Sequence, residues 1–185
     1  MPVSSATQRL LVLAHGPTAD LREARFGGTG ALTHPELLVA GPEPVEMWAC
    51  GPEPACVATV EALGAVPTVV AELAGPRFGN WAGRMLVEVA ETDPEAVGAW
   101  MGDPGFVPPG GESLTAVVGR VGSWVAALDT VGWSGVVVTP LVGRALLAGA
   151  LAAPAALVLV IELPPGGRAV LTRSGGGRWR LRQLG

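Results

Sequence analysis

The sequence predicts an α/β fold: a three-layer α/β/α sandwich in which helices cover both faces of a mainly parallel central sheet. The first indication is the order of elements, because short β-rich stretches alternate with helical stretches along the chain. The second is the strand at 9–14, which shows little polar alternation, as strands buried on both faces do. The third is size, since 185 residues with 49% hydrophobic content can bury a sizeable core. We expect one domain over residues 1–185.

The first half of the chain predicts three strands and three helices. The strands are expected at 9–14, 45–50 and 68–73, and the helices at 53–63, 84–91 and 94–101. Pro52 and Glu53 are typical of a helix start, because proline suits the first turn and an acidic side chain stabilises the helix N-terminus. Asp93 and Pro94 begin the third helix as its cap and first turn. A glycine-rich loop at 27–30 follows the first strand.

The second half predicts two helices and four strands. The helices are expected at 112–128 and 141–152, and the strands at 135–139, 156–163, 168–173 and 178–183. The longer helix has apolar residues at helical spacing, whereas the helix at 141–152 is rich in small residues. The run AALVLVIEL at 155–163 has the length and composition of a strand. Glycine clusters at 166–167 and 175–177 mark the turns between the last three strands.

Charge argues against nucleic-acid binding. The net charge is −4, and every basic residue is arginine. The only local cationic cluster, Arg178, Arg180 and Arg182, alternates with Trp179 and Leu181, which is the pattern of a strand with one polar face. A basic stripe that could track phosphates is missing from the sequence.

The remaining composition predicts a cytoplasmic protein. No segment approaches the ~18 apolar residues of a membrane span, and residues 1–8 are too polar for a signal peptide. Cys50 and Cys56 are too close in sequence for a framework disulfide and fit a reducing compartment. With only two histidines, a histidine-based metal site is not expected, and we expect no cofactor.

One motif stands out, around His15. The segment LLVLAHGPTADLREARFGG at 10–28 combines a strand, Ala-His-Gly, Thr18 three residues after the histidine, and Arg25-Phe26. This layout resembles the opening signature of the histidine phosphatase (phosphoglycerate mutase-like) superfamily, Arg-His-Gly-x-Thr followed by Arg-Phe-x-Gly. The resemblance implies a phosphoglycerate mutase-like domain in which His15 lies at the carboxyl end of a strand. In that family the histidine becomes a phosphohistidine.

Three further blocks carry the same resemblance in the same order. They are LAGPRFGNWAGRMLVEV at 73–89, FVPPGGESLTAVVGRV at 106–121 and GVVVTPLVGRALLAGAL at 135–151. The departures fall in the expected phosphate pocket. Ala14 and Ala55 stand where the family has arginines, Gly75 aligns with its acid, and Pro140 follows Thr139 where its second histidine belongs.

The candidate site residues follow from these blocks, each with a structural alternative. The candidate catalytic residues are His15, Glu72 and Glu112, and the candidate ligand-binding residues are Thr18, Arg22, Arg25, Ser113 and Thr139. His15 is either functional or a remnant hydrogen-bonded to nearby backbone. Arg25 either meets a ligand or anchors a loop, Arg22 is either a replacement phosphate ligand or a solvated loop residue, and Thr18 either joins the site or caps a turn.

The acidic candidates have equally simple alternatives. Glu72 is the nearest acid to Gly75 and is otherwise a rim or turn residue. Glu112 and Ser113 either lie at the edge of the cleft or only begin a helix. Cys50 is interpreted as a small buried hydrophobe rather than a nucleophile.

The missing pocket residues argue against ordinary phosphatase chemistry. Removing one preorganised donor typically raises the barrier by ~2.7–4 kcal/mol, and the usual proton donor is also absent. We therefore expect a pocket suited to a small, weakly charged metabolite, on which His15 acts as base, acid or nucleophile. A secondary-metabolite pathway is one context in which such a protein would act. A non-catalytic binding protein and a weak phosphomonoesterase using Arg22, Arg25 and Arg77 are the alternatives. Whether the chain is an enzyme, and whether it forms a homodimer, is left open.

Overall fold

The structure, a computed structural model, describes residues 7–28, 30–38 and 41–185. A six-stranded sheet lies at its centre. The strands are β1 (Thr7–Ala14), β2 (Met47–Cys50), β3 (Pro67–Val69), β4 (Gly132–Val138), β5 (Arg168–Ser174) and β6 (Arg180–Leu184). The α-helices are α1 (Ala19–Arg22), α2 (Pro54–Ala62), α3 (Leu86–Thr92), α4 (Pro94–Gly102), α5 (Leu114–Ala127) and α6 (Pro140–Ala150).

The sheet is mainly parallel, as the sequence predicts. Its strand order is β3-β2-β4-β1-β5-β6. The pairs β3–β2, β2–β4 and β4–β1 are parallel, whereas β5 pairs antiparallel with both β1 and β6. At the centre, Val12 of β1 lies opposite Val136 of β4 on one side and Ala169 of β5 on the other. The carboxyl ends of β1, β2 and β4 consequently meet along one edge of the sheet.

Apolar side chains from β1 enter two different cores, because successive strand residues point to opposite faces. Leu10 and Val12 belong to the core that includes α5 and α6, whereas Leu11 and Leu13 belong to the core that includes α2. Helices therefore cover both faces of the sheet, and the predicted fold class is confirmed. A third cluster, built from Phe26, Phe78, Trp81, Val89 and Val97, packs the segments beyond the carboxyl ends of the strands.

One expected strand is wrong, and another is shorter than expected. Residues 156–163 form no strand; the chain instead makes a 3-10 helix at Ala155–Leu159, whose Val158 is fully buried in the core with α6. A short apolar run does not distinguish a strand from a buried helical turn by periodicity alone. The expected strand at 68–73 is shorter: β3 is followed by a 3-10 turn at Ala71–Leu73.

Candidate active site

The candidate site is a cavity of about 410 Å³ at the carboxyl ends of the central strands. His15 follows β1, Glu53 follows β2 and Thr139 follows β4, and all three line the cavity. Ligand sites of open α/β sheets lie at this edge. The other lining residues are mostly apolar: Leu21, Ala24, Phe26, Gly27, Gly28, Gly75, Pro76, Phe78, Leu86, Trp100, Pro140 and Leu141, with Arg25 and Arg144 as the basic ones.

His15 is buried at the cavity floor, with 3% of its surface exposed. Its backbone N–H donates to the Val138 carbonyl at 2.9 Å, which attaches the residue to β4. Its Nδ1 donates to the Gly16 carbonyl at 2.7 Å, since a carbonyl oxygen only accepts. Burial lowers the pKa of His15 below its ordinary 6.5. The imidazole is therefore neutral near pH 7, with its lone pair on Nε2.

Hydrogen bonds to α2 fix the backbone that follows His15. The Gly16 N–H donates to the Thr59 hydroxyl of α2 at 3.1 Å, and that hydroxyl donates to the Ala55 carbonyl at 2.7 Å. A Cβ on Gly16 would lie 3.1 Å from Leu32 and 3.2 Å from Leu38, which leaves little room for any larger residue. This packing restricts the residue after His15 to glycine.

Glu53 is the site residue that sequence reasoning misses. Its place in the sequence indicates a helix-opening acid, yet its side chain makes no capping hydrogen bond to α2. Instead Oε1 accepts from the Gly75 N–H at 2.5 Å, and Oε2 lies 3.7 Å from the donating Cys56 thiol. The carboxylate is close enough to raise the pKa of His15, although burial of the imidazole outweighs this effect. Its position two residues before Ala55, at the end of a strand, is the signal that the sequence offers.

The two arginines that line the cavity are engaged elsewhere. Arg25 donates to the Gly83 carbonyl at 2.6 Å and to Glu23 at 2.7 Å, and it also pairs with Asp20 at 3.6 Å. Its contact with Glu23 raises the pKa of Arg25 above its ordinary value. Arg25 therefore anchors a loop, which was one of its two predicted roles, and it also borders the cavity.

Arg144 lies on α6, and it also borders the cavity. Its Nη1 donates to the Val158 carbonyl at 3.2 Å, and burial lowers the pKa of its guanidinium, partly offset by Glu162. Within the residues that the structure describes, its buried Nε has no hydrogen-bond partner. Arg22, in contrast, is exposed at the end of α1 and does not line the cavity.

The three hydroxyl candidates all cap helices. Thr139 accepts from the Val142 N–H at 3.3 Å, Thr18 from the Leu21 N–H at 3.3 Å and Ser113 from the Ala116 N–H at 3.1 Å. Such caps satisfy N–H groups that have no partner inside the helix. Of the three, Thr139 alone lines the cavity.

The acidic candidates Glu72 and Glu112 lie outside the cavity. Glu112 forms an ion pair with Arg120 of α5, with Nε and Oε1 separated by 3.0 Å. Arg120 also donates to the backbone carbonyls of Glu72 at 2.6 Å and Gly75 at 3.2 Å. Arg120 thus joins the Glu112 carboxylate to the backbone of the 72–75 segment, and neither acidic side chain lines the His15 cavity.

The positions that the resemblance aligns with arginines are closed. Ala14 is fully buried in the core with α5 and α6, and Ala55 is 2% exposed in the first turn of α2. Both cysteines are free and buried, and burial raises the pKa of each thiol. Neither Cys50 nor Cys56 is thereby activated as a nucleophile.

The described residues contain no group of three or more His, Cys, Asp or Glu side chains placed to hold a metal ion. Across the same part of the chain, none of the helices is both long and apolar enough to cross a membrane.

Comparison with known proteins gives the family. Residues 50–185 match the family model of the histidine phosphatase superfamily (branch 1), a match that begins after the His15 block. The bifunctional protein Rv2228c of Mycobacterium tuberculosis is 32% identical over 130 residues, which cover 61% of this chain and 35% of that protein. This chain therefore spans about a third of the curated relatives it matches.

Solved structures share the fold. The alpha-ribazole phosphatase from Shigella flexneri superposes with a TM-score of 0.80 at 20% identity, covering 95% of both chains. The mycobacterial glucosyl-3-phosphoglycerate phosphatase Rv2419c superposes with a TM-score of 0.76 at 24% identity, covering 95% of this chain and 97% of that one. These likenesses show the shared fold, and the family match over 50–185 shows that the chain belongs to the histidine phosphatase superfamily.

Proposed function

We propose that this protein binds or transforms a small, weakly charged metabolite in the His15 cavity and is not a competent phosphomonoesterase. The observation that carries the proposal is the charge of the cavity wall. A carboxylate, Glu53, borders the cavity next to a neutral imidazole, and both bordering arginines donate to other protein groups. A phosphate dianion would meet electrostatic repulsion from Glu53.

Phosphoryl transfer depends on preorganised positive charge, because the transferred group spreads its charge over three equatorial oxygens. Paired guanidinium groups suit that role, since their planar forks contact phosphate bidentately. The closed, apolar surroundings of Ala14 and Ala55 leave no such fork there. Losing one donor typically raises the barrier by ~2.7–4 kcal/mol, although such losses are not additive.

His15 retains what general base or nucleophilic chemistry needs. The Gly16 carbonyl orients the ring, and the neutral form leaves Nε2 as the basic nitrogen of a residue that lines the cavity. A histidine positioned in this way contributes typically ~10²–10⁴-fold to a rate by proton transfer. The cavity volume of about 410 Å³ also falls in the range of small-molecule sites.

A weak phosphomonoesterase acting through a phosphohistidine at His15 is the second candidate. The same neutral Nε2 favours it. Two solved structures with the same fold are named an alpha-ribazole phosphatase and a glucosyl-3-phosphoglycerate phosphatase, which also supports it. A non-catalytic protein that only binds its ligand is the third. The three candidates differ in turnover and in oxyanion affinity.

The test is turnover of p-nitrophenyl phosphate by the wild type, His15→Ala and His34→Ala. His34 is the matched control, because it is an exposed histidine outside the cavity. We expect all three proteins to stay near the buffer background. A wild-type kcat of about 1–10³ s⁻¹ that is lost in His15→Ala but kept in His34→Ala would refute the proposal.

Titration with phosphate or vanadate, followed by calorimetry or tryptophan fluorescence, is the companion measurement. We expect millimolar or undetectable affinity. Micromolar affinity that Arg25→Ala abolishes would indicate a rebuilt phosphate pocket and would favour the second candidate.

A further inference from the structure

We propose that the ligand of the His15 cavity presents a cationic, hydrogen-bond-donating nitrogen group to Glu53 and a flat apolar portion to the aromatic wall of Phe26, Phe78 and Trp100. This inference rests on the proposed function, because it names the chemical class of the ligand at the same site. It concerns small organic cations such as amidines and amines.

The first argument is the unmatched charge of Glu53. Its carboxylate accepts from one backbone N–H, that of Gly75 at 2.5 Å, and from the weakly donating Cys56 thiol at 3.7 Å. The ion pairs found among residues 7–28, 30–38 and 41–185 do not include Glu53. An ionised carboxylate offers about four acceptor sites, so at least two remain for a ligand.

The second argument is that the cations bordering the cavity in the described part of the chain are not placed to take up those sites. Arg25 donates to Glu23 and the Gly83 carbonyl. Arg144 donates to the Val158 carbonyl through Nη1, and the carboxylate that acts on its charge is Glu162, not Glu53. The imidazole of His15 is neutral, because burial lowers its pKa. A ligand cation is therefore the partner that would complete the carboxylate, and charge-assisted hydrogen bonds of this kind are the stronger ones.

The acceptor on His15 points to the same class. With Nδ1 donating to Gly16, the neutral ring can only accept at Nε2. A ligand that meets both His15 and Glu53 must therefore supply donors to both. A planar amidinium has several N–H donors in one plane, whereas a carboxylate or phosphate has none when fully ionised.

The third argument is the aromatic wall. The Phe26 ring centroid lies 5.1 Å from that of Phe78 and 5.2 Å from that of Trp100, and all three residues line the cavity. The rings are fixed by mutual packing, so the surface is formed before a ligand arrives. Aromatic faces attract cations and stack with flat apolar groups.

The experiment compares three probes of nearly equal shape: benzamidine, benzamide and benzoate, which are cationic, neutral and anionic at pH 7. Binding is measured by tryptophan fluorescence and ligand-observed NMR for the wild type, Glu53→Gln and Glu61→Gln. Glu61 is the matched control, since it is an exposed acid at the far end of the helix that follows Glu53. The amide introduced by Glu53→Gln would keep an oxygen that can accept from the Gly75 N–H, and circular dichroism checks that each variant is folded.

We expect benzamidine to bind about tenfold or more tightly than benzamide, and benzoate to bind weakest. Glu53→Gln should weaken benzamidine by about tenfold or more and leave benzamide nearly unchanged, while Glu61→Gln should change neither. Equal binding of benzamidine and benzamide, or a benzamidine affinity indifferent to Glu53→Gln, would overturn this inference and leave the proposed function standing.

Two further outcomes separate the inference from the function on which it rests. Preferential binding of benzoate, together with micromolar affinity for phosphate, would overturn both the inference and the proposed function. Failure of all three probes to bind at millimolar concentration would overturn the inference for this ligand class, while the p-nitrophenyl phosphate assay would still decide the proposed function independently.

Discussion

Arg120→Met tests the ion pair and hydrogen bonds by which Arg120 positions Gly75 in the cavity wall. Arg120 makes four hydrogen bonds: Nε and Nη2 to the two oxygens of Glu112 at 3.0 and 3.2 Å, Nη1 to the Glu72 carbonyl at 2.6 Å and Nη2 to the Gly75 carbonyl at 3.2 Å. The Gly75 N–H donates to the Glu53 carboxylate, so Arg120 positions Glu53 indirectly through the backbone of Gly75. Methionine keeps much of the apolar stem and removes the fork.

The magnitude follows from burial. The Glu112 side chain is only 10% exposed, so the variant leaves a mostly buried carboxylate without its cation. Breaking a fully buried pair costs about 3–5 kcal/mol, but Arg120 is 24% exposed, so water compensates in part. A hydrogen bond to a charged group contributes about 1.5–3 kcal/mol. We expect a loss of about 2–4 kcal/mol of unfolding free energy, which lowers Tm by about 4–16 °C for a chain of this size.

The assay is urea denaturation of the wild type, Arg120→Met, Glu112→Leu and the double variant. Removing both partners leaves no unpaired charge, so the double variant should be less destabilised than the sum of the single variants. Arg180→Met, an exposed site on β6, is the control and should stay within about 0.5 kcal/mol. A coupling energy between Arg120 and Glu112 below about 0.5 kcal/mol would show that the pair does not stabilise the fold and would refute this reasoning.

Three further predictions concern the site and its sheet. Thr139→Ala should lose about 0.5–2 kcal/mol, because the hydroxyl caps α6 through the Val142 N–H, while Thr139→Ser should keep most of it in the same melts; equal losses would contradict the cap. The stability that neutral His15 contributes should be complete above pH 6.5 and lost as pH falls through its lowered pKa, so His15→Asn should show a shallower acid loss in denaturation at several pH values; identical pH slopes would count against it. Gly135→Ala should destabilise by about 1–3 kcal/mol, because its Cβ would lie 2.4 Å from the Trp48 ring; an unchanged Tm would show that the indole moves freely.

Local sequence determined the frame of the molecule. The apolar runs at 9–14 and 135–139 predict the two central strands, because such runs must be covered on both faces. Helical spacing over 112–128 predicts α5, and the Asp93-Pro94 pair predicts the start of α4. The position of His15 at the carboxyl end of a central strand also follows from its motif, since β1 ends at Ala14, immediately before the histidine.

Tertiary structure decided where the side chains around His15 point. Glu53 and Glu112 both stand at the start of a helix in sequence, yet Glu53 turns to Gly75 in the cavity wall and Glu112 turns to Arg120 outside it. That choice depends on partners 22 and 8 residues away, which no local pattern specifies. Within the run at 155–163, residues Ala155–Leu159 form a 3-10 helix that buries Val158 against α6, while β5 pairs with β1 in the sheet. Periodicity records which residues avoid water, whereas the packing of distant segments determines what each polar group meets.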